Sequence, residues 1–221
     1  MFPREFCSFA CFGLLLSGIV HAGPATENAA AQEYRKHLEA ADTNRDGFVS
    51  REELVVEIAK SSKRDPATVE KMVDAMIRSL DTDKDAKLSA TEIDAGARKV
   101  GENYVVQQNV RRAKVVMEAL AKYKTDHGGA TPVALEGMVK IGLAPEEALR
   151  CIMADGNEKA WGYTRPQDGK AAPGDVVIYS QGGVDSAGQY VVGLNDGSVA
   201  GLHDGDEALG KVPGAKVRIQ K

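Results

Sequence analysis

Cysteine is scarce in this sequence, which has three cysteines among 221 residues and a single tryptophan. Cys7 and Cys11 lie in an N-terminal segment that we expect to be cleaved, so Cys151 has no partner for an internal disulfide. We expect Cys151 to be a small, buried, hydrophobic residue, with a reactive thiol or an intermolecular disulfide as the alternatives. A fold that depends on internal disulfides is therefore excluded.

An excess of basic residues is also absent. The chain has 28 Lys and Arg against 32 Asp and Glu, which gives a formal net charge of -4 and a pI near 5.7. Nucleic-acid-binding domains carry a basic surface, so no nucleic-acid partner is expected. Apolar residues make up 43% of the chain, which is sufficient for a packed core. The length allows one large domain or two small ones.

The sequence lacks an apolar run long enough to span a membrane, which takes about 20 residues. The uncharged apolar stretch 9–20 is followed by Val20-His21-Ala22 and resembles a signal peptide with its cleavage site. We predict a signal peptide over residues 1–22 and a secreted or periplasmic protein. Membrane attachment is expected only if this segment stays uncleaved.

Recognisable catalytic motifs are missing. The sequence has no Gly-x-Ser-x-Gly, no Walker loop and no His-Glu-x-x-His. His127 and His203 lie far apart in the chain, and neither has a spacing to Cys151 that suggests a nucleophile or a transition-metal site. We predict that the protein is not an enzyme.

Residues 28–100 have the apolar spacing of four helices. Tyr34, Leu38 and Ala41 repeat at intervals of four and three, and the segment 69–80 carries the strongest stripe of this kind. Two acidic twelve-residue loops interrupt the pattern, at 42–53 and 81–92. The order is therefore helix, loop, helix, linker, helix, loop, helix.

The loops place oxygen-bearing groups at positions 1, 3, 5, 7 and 12. In the first loop these are Asp42, Asn44, Asp46, the carbonyl of Phe48, and Glu53; in the second they are Asp81, Asp83, Asp85, the carbonyl of Lys87, and Glu92. Ca²⁺ binds six to eight hard oxygen ligands, and alternate residues of a tight loop direct theirs inward. Position 6 is Gly47 in the first loop and Ala86 in the second. We predict two calcium sites; the alternative is a pair of acidic surface loops.

This spacing resembles the EF-hand family over about residues 30–100. The resemblance implies that the two loops lie back to back, with Val49 and Leu88 forming a short β contact. It also implies a sharp left-handed turn at position 6.

The second half of the chain predicts one long helix on a small antiparallel sheet. Apolar spacing from Val106 to Leu120 predicts a helix that ends near Tyr123, followed by short helices near 135–141 and 145–151. We expect a long loop over 154–175, pinned by Trp161 and Tyr163. Strands are predicted at 176–179, 189–194 and 198–202, with a hairpin turn at 195–197.

Part of this half resembles the globular domain of type II secretion pseudopilins. The resemblance rests on residues 120–128, then Pro132, Leu135 and Gly142-Leu143, and on the Asp-Gly-Ser-Val stretch at 196–199. It implies a pilin-like fold. Asp185, Asp196, Asp204 and Asp206 could form a third cation site, but aspartate beside glycine is also common in turns.

We therefore predict an α+β protein with an all-α EF-hand pair at 28–100 and a pilin-like domain at 103–221. The predicted function is calcium binding with a structural or regulatory role. The alternative is a component of an envelope or secretion assembly that calcium stiffens, with a protein of that assembly as partner.

Overall fold

The computed structural model describes residues 28–166, 172–203 and 206–213. The predicted signal peptide at 1–22 lies outside the described residues. The chain divides into two compact units, with the boundary after Gly101. No helix among the described residues is both long and apolar enough to cross a membrane.

The first unit is built from helices that begin at well-defined caps. Helix α1 is Ala29–Ala41, α2 is Arg51–Ser61, α3 is Pro66–Leu80, and α4 begins at Ala90 and runs to Asp126. The carboxylate of Asp65 accepts a hydrogen bond from the amide of Thr68, and Pro66 occupies the first turn of α3. Both features favour a helix start at this point.

The core of the first unit contains the predicted apolar stripes. Tyr34 and Leu38 of α1, Leu54 of α2, and Val69 and Val73 of α3 are all buried. These side chains recur at three- and four-residue intervals, so each helix buries one face. The helical prediction for this region is therefore confirmed.

Two three-residue strands join the loops of the first unit. Strand β1 is Phe48–Ser50 and β2 is Lys87–Ser89, and they pair antiparallel with Val49 opposite Leu88. Val49 and Leu88 are 1% and 0% exposed. The predicted β contact between these two residues is confirmed.

The second unit contains the later turns of α4 and two antiparallel sheets. Two short helices follow α4: α5 at Glu136–Lys140 and a 3₁₀ turn at Glu146–Leu149; a second 3₁₀ turn, Glu207–Lys211, follows the last strand. The strands are β3 Arg150–Ile152, β4 Glu158–Ala160, β5 Gly162–Tyr163, β6 Val176–Tyr179, β7 Tyr190–Leu194 and β8 Val199–Leu202. Strands β3 and β4 form one sheet, and β5-β6-β7-β8 form the other.

The core of this unit lies between α4 and the sheets. Val116 and Leu120 of α4 belong to the same buried cluster as Ile178 of β6 and Val191 of β7. Trp161 is 4% exposed, and its indole N–H donates to the carbonyl of Ala148 at 2.8 Å. The predicted class, α+β with a long helix and small antiparallel sheets, is confirmed.

Three sequence-based predictions for this half are wrong in detail. The expected helix at 145–151 is a single 3₁₀ turn, after which Cys151 lies in β3 and not in a helix. The stretch 154–175 contains β4 and β5 and so is not a continuous loop. The long helix ends at Asp126, three residues beyond the predicted end. The pseudopilin resemblance stays a prediction.

Candidate metal centre

The first loop is shaped by hydrogen bonds from its own amides to its side-chain oxygens. The Asp42 carboxylate accepts from the amides of Asp46 at 3.2 Å and Gly47 at 3.1 Å. The Asn44 side-chain oxygen accepts from the Asp46 amide at 2.8 Å, and the Asp46 carboxylate accepts from Phe48 at 2.9 Å. These bonds turn the oxygens at positions 1, 3 and 5 toward the inside of the loop.

The second loop repeats this pattern with carboxylates alone. Asp81 accepts from the amides of Lys84 at 2.6 Å and Ala86 at 3.0 Å. Asp83 accepts from the Asp85 amide at 3.2 Å, and Asp85 accepts from the Lys87 amide at 2.8 Å. The same positions therefore face inward in both loops.

Position 6 has a left-handed backbone in both loops. Gly47 has φ 86° and Ala86 has φ 65°. Glycine adopts this conformation without a steric penalty, whereas alanine has a Cβ that approaches the following carbonyl. The turn implied by the resemblance is present in the second loop despite the alanine.

The glutamate at position 12 closes each loop. Glu53 accepts from the amide and hydroxyl of Thr43 at 3.1 Å each, and from the amide and hydroxyl of Ser50 at 3.0 and 2.8 Å. Glu92 makes the matching contacts, with Thr82 at 2.6 and 2.9 Å and with Ser89 at 2.9 Å to both groups. Each glutamate thus links the start of its loop to the start of the exiting helix.

These hydrogen bonds keep both glutamates ionised. Donation from the Ser50 amide and hydroxyl is the main cause that lowers the pKa of Glu53 to about 2. Burial raises the pKa of Glu92, which is 5% exposed, but the amides and hydroxyls of Ser89 and Thr82 outweigh it and bring the value to about 2. Both side chains are available as anionic ligands at neutral pH.

The second loop concentrates negative charge. Oxygens of Asp81, Asp83 and Asp85 lie within 4.8 Å of one another. The hydrogen bond from the Asp85 amide lowers the pKa of Asp83. Burial and the nearby negative charges of Asp85, Glu92 and Asp81 have the larger combined effect, so the pKa of Asp83 lies above its usual value. Carboxylates at this separation repel one another, and a bound cation would relieve the repulsion.

The arrangement fits a hard divalent cation. Carboxylate, amide and carbonyl oxygens are the ligand types that calcium takes, and both loops bring such groups to positions 1, 3, 5, 7 and 12. Bound Ca²⁺ would supply positive charge that neutralises the clustered carboxylates. Hydrogen bonds from the chain's own amides and hydroxyls orient the side-chain oxygens of both loops.

Serine at position 9 caps the helix that leaves each loop. The Ser50 hydroxyl oxygen accepts from the Glu53 amide at 3.3 Å, and the Glu53 carboxylate accepts from the Ser50 amide at 3.0 Å, which forms a capping box for α2. Ser89 and Glu92 make the same exchange, with the Ser89 amide donating to Glu92 at 2.9 Å and the Glu92 amide donating to the Ser89 hydroxyl oxygen at 3.4 Å. The Ser-x-x-Glu pattern is a sequence signal for this cap.

The remaining candidate residues of the second unit have structural contacts. Asp185, Asp196 and Asp206 each accept a hydrogen bond from a nearby backbone amide, as expected for turn residues, and Asp204 lies outside the described residues. His127 stacks on Tyr123 with ring centroids 3.9 Å apart. Cys151 is fully buried and free, and burial raises the pKa of its thiol.

The paired helix–loop–helix units define a class of protein with two facing cation-binding loops. Residues 32–96 match the family model of an EF-hand domain pair. This match supports calcium binding by the first unit. Comparison with curated proteins finds no match for the chain.

Proposed function

We propose that the chain is an exported protein that binds one Ca²⁺ in each loop, and that calcium has a structural role. The observation that carries the proposal is the convergence of Asp81, Asp83 and Asp85 oxygens within 4.8 Å in a segment that matches an EF-hand pair. The same backbone-to-side-chain bonds orient the first loop. Both sites therefore have the ligand types and the loop shape that calcium needs.

The proposed ligands follow the loop positions. In the first site they are Asp42, Asn44, Asp46, the Phe48 carbonyl and Glu53. In the second they are Asp81, Asp83, Asp85, the Lys87 carbonyl and Glu92.

The test is a calcium titration of the purified protein by calorimetry. The wild type is expected to bind two ions. Glu53→Gln and Glu92→Gln are each expected to bind one, because the amide has only one good ligand oxygen and no charge. Glu52→Gln is a matched control for the first loop, since this neighbouring carboxylate is exposed and is not a proposed ligand. A wild-type protein that binds no calcium at about 1 mM, the weak end of the family range, contradicts the proposal.

The structural and the regulatory role differ in whether the closed core of the first unit opens when calcium binds. Leu54, Val69 and Val73 are at most 1% exposed, and the cavity lined by Leu38, Leu54 and Met76 has a volume of only about 20 Å³. A calcium sensor opens an apolar groove when it binds the ion, whereas a structural site does not. Fluorescence of a hydrophobic dye is therefore expected to stay constant or fall when calcium is added, and a clear rise would indicate a regulatory role.

Export is proposed from the apolar stretch at residues 9–20 and the small residue before the expected cleavage site. N-terminal sequencing of the protein from its native host is expected to begin at residue 23. Membership of an envelope or secretion assembly is the alternative from the sequence. Affinity purification from the cell envelope with and without calcium tests it.

A further inference from the structure

Lys87 belongs to the second loop by its backbone but reaches the first loop with its side chain. Its ammonium nitrogen lies 3.6 Å from a carboxylate oxygen of Asp46 and 5.4 Å from the ring centroid of Phe48. Asp46 is a proposed ligand of the first site. A cation of one loop is therefore in direct contact with a calcium ligand of the other.

The pairing of β1 and β2 explains this contact. Lys87 lies opposite Ser50 in the register, and Val49 lies opposite Leu88. Side chains alternate along a strand, so the inward direction of Val49 and Leu88 places Lys87 and Phe48 on the outer face. Diagonal neighbours on one face of a strand pair are within reach of a long side chain, which brings the ammonium over the Phe48 ring and on to Asp46.

The contact is asymmetric between the loops. The first loop has Phe48 at the position that Lys87 occupies in the second, so the equivalent side chain carries no charge toward the second site. The ligand set of the first loop also contains one carboxylate fewer, because Asn44 stands where the second loop has Asp83. Both differences weaken attraction of a cation to the first site.

We infer that Lys87 is a residue of the second loop that sets the affinity of the first calcium site. The inference rests on the proposed function. The ammonium lies beside Asp46 and repels a cation bound there, which opposes occupation of the first site. The side chains of Lys87 and Asp46 are 45% and 41% exposed, so solvent screens the interaction and the effect is moderate.

The experiment is a calcium titration of the full chain with Glu92→Gln, which leaves only the first site. Adding Lys87→Met removes the charge, keeps an unbranched side chain over Phe48, and retains the backbone carbonyl. The Kd of the first site is expected to fall about two- to fivefold at low salt, as for a partly screened charge pair. Lys87→Gln is expected to give the same direction, and it serves as the second variant if the methionine variant folds poorly.

Lys84→Met is the matched control. It removes the same charge from the same loop, and Lys84 lies at position 4, where its amide donates to Asp81. The first-site Kd is expected to change by less than about twofold, because the interaction weakens with distance and screening. An equal gain in this control would mean that net charge alone is responsible and would overturn the inference.

Titration with La³⁺ separates charge repulsion from a change of loop shape. Coulomb energy scales with ion charge, so the gain from Lys87→Met, in log units, is expected to be about 1.5 times as large for La³⁺ as for Ca²⁺. No gain in either Lys87 variant, or the same gain for both ions, overturns the inference and leaves the proposed function intact. If the Glu92→Gln parent itself binds no calcium, the proposed first site and the inference both fail.

Discussion

The two loops differ in backbone strain at position 6, where the second loop has Ala86. It has φ 65°, where an L-residue with a Cβ loses roughly 1–2 kcal/mol relative to a right-handed conformation. Gly47 has φ 86° at the same position, and a Cβ built there would meet nothing within 4 Å. The two loops therefore differ at this position in the strain that a Cβ causes in a left-handed backbone, and not in contacts with neighbouring residues.

Ala86→Gly is expected to tighten the second site by about two- to fivefold. Glycine removes the strain, but the calcium-free loop becomes more flexible, which returns about 0.5–1 kcal/mol of the gain. Calcium titration in a Glu53→Gln background isolates the second site. The mirror variant, Gly47→Ala with Glu92→Gln, is expected to weaken the first site. Unchanged or weaker binding by Ala86→Gly would show that Ala86 is not strained.

The sequence allowed the loop positions to be predicted at the residue scale because ligand spacing is a local property. The contacts of Lys87 with Asp46 and Phe48 were not predictable in the same way. They depend on the side-chain direction imposed by the β1–β2 register, which brings together residues about 40 positions apart in the sequence.

The helices of the first unit could be predicted because each buries one regular stripe. The strands β3 and β4 could not, because each has only three residues, too few for a periodic pattern to show. Arg150 is exposed and Cys151 is buried, but such a short alternation does not distinguish a strand from a helix end. Non-local pairing decides the conformation here.

Gly193 of β7 lies where α4 packs closely on the sheet. A Cβ added at Gly193 would lie 2.5 Å from the sulfur of Met117 and 2.7 Å from Cγ1 of Ile178. Gly193→Ala is therefore expected to destabilise the second unit by about 1–3 kcal/mol, the usual cost of overpacking. Thermal unfolding followed by Trp161 fluorescence measures this, because Trp161 is the only tryptophan and lies in this core.

Gly137→Ala is the control for the unfolding experiment with Gly193→Ala. Nothing lies within 4 Å of a Cβ at Gly137, which is in α5, so this variant is expected to melt at the wild-type temperature or slightly above it. If the two variants melt at the same temperature, Met117 and Ile178 adapt to the extra methyl group without a loss of stability. Calcium stoichiometry is expected to stay at two in both variants.

At the scale of the whole molecule, all proposed ligands belong to the first of the two units. Binding to the folded state stabilises it by RT ln(1 + [L]/Kd), about 2.7 kcal/mol at a hundredfold excess over Kd. Calcium is therefore expected to slow amide hydrogen exchange in residues 28–101 by up to about a hundredfold, and to change residues 102–213 much less. Equal protection in β6, β7 and β8 would indicate a further cation site in the second unit.

The short pairing of β1 with β2 also has a consequence for how the two sites fill. Each loop supplies one side of the same pair of strands, so ordering either loop restricts the conformational freedom of both. The first ion to bind bears most of that entropy loss, and the second meets a loop that is already partly ordered. Occupancy of the two proposed sites is therefore expected to be coupled positively, so that the pair would pass from empty to full over a narrower range of calcium concentration than two separate loops.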